Sequence, residues 1–145
     1  MPDSSPGSLR KIVERYFESM RTGDPNIGDL FSEDIVWVAP ESSPVGSRHS
    51  GKAAVLKLMG MGVSLYDMSQ PMRMELGAMA AEGEHVFVEM TLSAKTASGE
   101  AYRNHYVFVF RIWEGLIVEI HEHLDTHYTQ RMLFDPTGAR SPIDA

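Results

Sequence analysis

From Tyr102 to Leu124 side-chain character alternates with a period of two, interrupted only by Glu114-Gly115. Successive side chains of a strand point to opposite faces. One face of the first segment therefore carries Tyr102, Asn104, Tyr106, Phe108 and Phe110, and the other Arg103, His105, Val107, Val109 and Arg111. Beyond the Gly the two sets are Val118, Ile120, Glu122, Leu124 and Glu119, His121, His123, Asp125. The pattern predicts a β-hairpin closed by a tight turn. Setting Phe108, Phe110, Val118, Ile120 and Leu124 toward an interior carries Asn104, Tyr106 and Glu122 in with them.

Upstream, Leu9, Ile12, Val13, Tyr16, Phe17 and Met20 recur at helical spacing behind Ser8, read as the N-cap, and Thr22-Gly23-Asp24-Pro25 ends the helix. A short helix about Asn26 to Phe31 leads into a strand Ile35–Ala39, which Pro40 stops. Residues 40–51 are rich in Gly, Pro and Ser and read as a loop suited to a lid or pocket wall. Lys52 to about Tyr66 reads as a helix weakened by Gly60 and Gly62. Strands follow at about 72–81, 85–94, 102–113 and 116–125. Helices followed by long antiparallel strands make an α+β unit, with the helices covering one face of a curved sheet. One domain over 1–145 is expected, with a core of about 9–130 and loose tails at 1–8 and 135–145.

The 145 residues are 43% hydrophobic, enough for a core of ordinary size. With 13 basic and 20 acidic residues the net charge is −7, and no Lys/Arg cluster with interleaved aromatics occurs, which argues against nucleic acid or an anionic membrane as partner. The absence of Cys excludes disulfides, thiolate nucleophiles and Cys-based metal sites. The N-terminal residues lack a basic segment followed by an apolar one, and no apolar run approaches ~18 residues, so a cytoplasmic location is expected.

A carboxylate taken into an apolar interior must be paired, hydrogen-bonded or protonated. Glu122, with Asn104 and Tyr106 near it, is therefore a candidate site. The alternative is an anchor at a wet cavity rim.

The runs Ile12–Phe17 to Gly23-Asp24, Leu30–Trp37, Pro40–Gly51, Tyr106–Arg111 and Glu114–Val118 together resemble the nuclear transport factor 2-like superfamily, and within it the SnoaL-like polyketide cyclases and ketosteroid isomerase-related proteins. The resemblance spans about residues 9–130. It implies a cone-shaped, curved sheet packed on N-terminal helices, enclosing one deep apolar pocket, usually in a homodimer. Tyr16 falls where ketosteroid isomerases keep an oxyanion-donating Tyr. Their base position is Ala39 here, and their second donor falls at Tyr106 or Phe108, which breaks the steroid-isomerase constellation. The epoxide hydrolases of the superfamily use an Arg and two Asp where this chain has Met90, Leu92 and Glu122, so that only a carboxylate remains.

What the resemblance implies is a cofactor-free acid/base enzyme, an isomerase, cyclase or lyase acting on a hydrophobic carbonyl compound. Glu122 would move a proton α to the carbonyl while Tyr16, Tyr106 and Asn104 hold the enolate oxygen. His49, in the loop, is a candidate second acid/base group. Expected pocket walls are Tyr16, Phe17, Met20, Trp37, Leu56, Met59, Val88, Met90, Phe108, Ile120 and Leu124. A small-molecule binder without turnover is the rival reading, with epoxide hydrolysis behind it. His121, His123 and His127 beside Asp125 form a weak metal-ligand spacing. They are placed instead on the outer sheet face, in a polar homodimer seam with His105 and Glu119, and no metal is assigned.

Overall fold

The computed structural model describes residues 3–135. The first helix, α1, runs Pro6–Thr22, three residues earlier than Ser8 as N-cap would allow. Ser5 is the cap, its hydroxyl accepting from the Ser8 N–H at 3.3 Å, and Pro6 occupies the first turn, where its missing N–H costs nothing. The helix closes on Gly23 (φ 67°), whose N–H reaches the Met20 carbonyl while that of Asp24 reaches Ser19. This Schellman pair requires a left-handed residue that Gly supplies without strain. Leu9, Val13, Tyr16 and Phe17 are buried along one stripe, as their spacing demands.

A single turn of 3₁₀ helix, Ile27–Leu30, precedes strand β1, Phe31–Val38. The loop after Pro40 contains an unforeseen strand, β2 (Arg48–Ser50), that pairs antiparallel with the end of β1. Helix α2 follows (Lys52–Val63), then β3 (Arg73–Glu82), β4 (His85–Lys95), β5 (Ala101–Trp113) and β6 (Leu116–Leu124). The strands form one sheet in the order β2-β1-β6-β5-β4-β3. All neighbours are antiparallel except β1 and β6, which run parallel, so the sheet is mixed rather than wholly antiparallel.

The β5–β6 turn is the expected one: Glu114 (φ 53°) and Gly115 (φ 78°) are both left-handed, the two-residue geometry that matches strand twist. Between the strands a bulge lies where Arg111 pairs with Glu119 but Ile112 pairs with Ile117. The extra residue shifts the alternation, so Ile117 and Ile120 are both fully buried while Val118, expected inside, is half-buried. From Ile120 onward the original period resumes, with Phe108 opposite Glu122 and Tyr106 opposite Leu124. Helix α1 packs on β3 and β4, and α2 on β1 and β2. The core is aromatic where α1 meets the sheet, with the Tyr16 ring edge-on to Phe110 at 5.1 Å and Phe17 edge-on to Phe108 at 5.7 Å.

The chain does not end at β6. Asp125 caps a further turn, α3 (Thr126–Thr129), by accepting from the Tyr128 N–H at 3.0 Å, and a π-helical turn, Gln130–Phe134, continues it. Of the tail expected to be loose, residues 136–145 lie outside the described residues. Among the described residues no helix is long and apolar enough to cross a membrane.

Candidate functional site

Between the concave sheet face, the inner end of α1, α2 and the C-terminal turns lies a cavity of about 640 Å³. Helical residues Tyr16, Phe17 and Met20 meet sheet residues Trp37, Met90, Tyr106, Phe108, Glu122 and Leu124 there, and Met59 joins them from α2. These ten belong to the set expected from the sequence. Among the described residues seven methionines line the space, a thioether lining that can adapt to the outline of an apolar ligand. The Pro40–Val45 loop forms part of the wall, as its composition suggested.

Four expected residues are elsewhere, and Val88 with them. Ile120 and Val88 are sealed in the core and Leu56 packs toward Gly28. The His49 imidazole turns back on its own loop, 3.3 Å from the Gly46 carbonyl, and does not line the cavity. Asn104 is buried as expected, but beside the cavity. Its amide donates to the Tyr102 and Thr129 hydroxyls and the Asp125 carbonyl, and its oxygen accepts from the His105 N–H. Its amide protons are taken up and it does not line the cavity, so it has no donor to offer a ligand.

Glu122 is the acidic residue of the lining. No Lys or Arg stands among the described lining residues, and burial raises its carboxyl from 4.5 to about 7, with the nearby Trp37 indole N–H pulling the other way. Its carboxylate still borders the cavity, so a ligand can reach it.

Three tyrosines line the same space: Tyr16, Tyr66 and Tyr106. Burial holds all three well above the ordinary Tyr range, and the Glu122 charge adds to this. They therefore remain neutral hydrogen-bond donors. The Tyr16 hydroxyl is buried with no partner among the described residues, a state that costs ~1–3 kcal/mol unless something accepts its proton.

Sequence reasoning missed Tyr66, which bridges to Thr96 after α2 and stacks edge-on against Tyr102 at 5.6 Å. It also missed the C-terminal turns, which bring Thr126, His127, Thr129, Gln130, Leu133 and Phe134 to the mouth. Asp125 as a cap residue, followed by apolar Tyr128, Met132 and Leu133, was the available signal. His127 consequently borders the pocket instead of facing outward, because the chain folds back over the opening. His121 stays on the outer face, its Nε2 3.2 Å from Glu119. Among the described residues no group of three His, Asp or Glu is placed to hold a metal.

Comparisons with known proteins agree with this architecture. Solved structures that share the fold include the following three. A nuclear transport factor 2-like protein from Burkholderia xenovorans is 23% identical, with TM-score 0.74 over 90% of this chain and 99% of its own. One from Burkholderia pseudomallei is 20% identical, with TM-score 0.75 over 87% and 97%. TerC, co-crystallised with polyporic acid, is 17% identical, with TM-score 0.77 over 88% and 98%. No curated protein matches the chain. The family model for the SnoaL-like domain matches residues 13–120. The chain belongs to the SnoaL-like domain family, on the nuclear transport factor 2-like fold.

Proposed function

We propose that the protein is a cofactor-free acid/base enzyme acting on a hydrophobic carbonyl compound, with Glu122 as the proton-transferring group. The observation that carries this reading is a lone carboxylate, raised to about 7 by burial, bordering an apolar cavity that holds no compensating cation among its described residues. At that value it is half ionised near neutrality, where a general base takes up and returns a proton most efficiently. It would remove the proton α to a ligand carbonyl. Tyr106 and the unpartnered Tyr16 hydroxyl would stabilise the resulting enolate oxygen, and returning the proton elsewhere, or closing a ring, would complete an isomerase, cyclase or lyase reaction. Asn104 and His49 have no direct part in it. That TerC was crystallised with polyporic acid makes a flat aromatic carbonyl compound the first class to try.

A binder without turnover is the second reading, favoured because the other candidate acid/base residue, His49, is held outside the cavity. Native mass spectrometry with a panel of aromatic and alicyclic ketones, on wild type and Glu122→Gln, separates the two. Binding by both with conversion by wild type alone is the expected result. Unchanged ligand in both proteins favours the binder, and failure of every ketone to bind overturns the pocket reading.

The protein is further read as a homodimer formed through the outer sheet face. There the Arg111–Glu119–His121 cluster and the Thr91–His105 contact surround Phe87 and Val107, which are 42% and 40% exposed. Val107→Glu is expected to convert a dimer to a monomer in sedimentation velocity, and a monomeric wild type would remove this part of the proposal.

A further inference from the structure

Behind Tyr106 stands a set of polar groups that the acid/base reading does not use. The Tyr106 and Tyr102 hydroxyl oxygens are 2.7 Å apart. Tyr102 also lies 3.2 Å from the Thr129 hydroxyl, and the Asn104 amide donates to Tyr102 at 3.0 Å and to Thr129 at 2.9 Å. Tyr102 is 1% and Asn104 3% exposed, so water does not compete for these bonds.

Counting protons limits the arrangements. The Asn104 amide nitrogen only donates, and with its two protons on the two shorter contacts rather than on the Asp125 carbonyl at 3.3 Å, one lone pair of Tyr102 and one of Thr129 act as acceptors. Among the hydroxyls within hydrogen-bond distance, Tyr102 then has a single proton and two places for it, Tyr106 or Thr129. If it goes to Thr129, Tyr106 donates its own proton to Tyr102 and turns a lone pair toward the cavity. If it goes to Tyr106, the Tyr106 proton is released to a ligand oxygen. We propose that Asn104, Tyr102 and Thr129 are positioning residues that set which way the Tyr106 hydroxyl points, so that Tyr106 can donate to a carbonyl oxygen or accept from a ligand hydroxyl. Thr129 is the residue that decides between the two states, because it is the alternative acceptor, and it sits on α3, the turn that folds over the pocket. The inference rests on the pocket reading and adds to it a basis for telling ketones from phenols.

Thr129→Val removes the alternative acceptor at almost constant volume. Tyr106 is then the remaining hydroxyl acceptor for the Tyr102 proton, and Tyr106 is biased toward donating into the cavity. With acetylnaphthalene and naphthol as matched probes, the ratio of ketone to phenol affinity is expected to rise about tenfold, the effect of one neutral hydrogen bond. Thr129→Ser, which keeps the hydroxyl, is expected to restore the wild-type ratio. In a Tyr102→Phe background, Thr129→Val is expected to leave the ratio unchanged. A purely structural role for Thr129 would move both affinities together. A ratio that does not move, or that moves equally in the Ser variant, overturns the proposal. A readout without ligand keeps the two readings apart: in protein carrying carbon-13-labelled tyrosine, the hydroxyl proton resonance of Tyr102 is expected to shift in Thr129→Val and return in Thr129→Ser. An unchanged resonance overturns the relay, whereas a shifting resonance in protein that binds neither probe supports the relay and overturns the pocket reading alone.

Discussion

Replacing Glu122 by Gln is expected to lower kcat/KM by about 100- to 10,000-fold, the range in which a positioned general acid or base contributes. The amide has nearly the same shape and keeps its contact with the cavity, so ligand binding should survive while proton transfer does not. The wild-type pH profile carries the same information from another side. In the free protein the carboxyl titrates near 7, and a base is active when ionised. A plot of kcat/KM should therefore rise with pH and level off above about 7, and the residual activity of the variant should lack that limb. Had the carboxyl its ordinary value of 4.5, the profile would be flat across the neutral range. A wild-type profile flat from about pH 5 to 9, or a variant as active as wild type, would exclude Glu122 as the base. The control is Tyr106→Phe, which removes a donor to the oxygen rather than the base. It should reduce turnover while leaving the rising limb in place.

Why a hairpin could be read so far from sequence, and the groups around it less well, has a physical answer. A period of two is a strong constraint once one face is buried, because a slip of one residue would put every apolar group of that face into water. Glu122 had to share a face with Ile120 and Leu124, and it does. Val118 obeyed the same arithmetic and was wrong, since a bulge at Arg111 inserts one residue locally and leaves no mark in the composition of the strand. Strand β2 has three residues, Arg48, His49 and Ser50, with no apolar periodicity at all, and its pairing is supplied by β1. Register with Trp37 sets His49 on the same sheet face as a pocket residue, yet its ring turns to the Gly46 carbonyl and stays out of the lining, and neither step is legible in so short a strand.

Asn104 shows a different limit. Alternation required it to be buried, and burial of an amide requires partners, but the partners come from Tyr102, two residues away, from Asp125 at the end of the expected last strand, and from Thr129 in the turn beyond it. The pattern along a strand says which face a group occupies. It does not say what the opposite wall will be made of, and here the opposite wall is a C-terminal segment whose advance signal is a capping Asp followed by apolar Tyr128, Met132 and Leu133. The same segment turns His127 from an outer-face residue into a neighbour of the pocket.

Glu122→Gln is also expected to make the folded protein more stable at neutral and alkaline pH, and the sign follows from linkage. Burial raises the native carboxyl from 4.5 to about 7, so between those values the folded chain holds a proton that the unfolded chain has already released. Stability then falls as pH rises, by ~1.4 kcal/mol for each unit within the window. Across the span from 4.5 to about 7 the loss reaches about 3 kcal/mol, a little less where the carboxylate is wetted from the cavity, and it stays constant above. Gln does not titrate and removes this loss. Urea midpoints should therefore coincide for the two proteins near pH 4, diverge between about pH 5 and 7, and differ by a fixed amount at higher pH. Taking the difference between the two proteins cancels the titration of every surface group they share. Parallel curves would show that Glu122 keeps an ordinary carboxyl in the folded state, and the acid/base reading would lose its physical basis together with the stability difference. A divergence of the expected size would mean that the fold carries, at one position facing its cavity, a group that weakens it above neutral pH, which is the signature of a residue retained for what it does to a ligand.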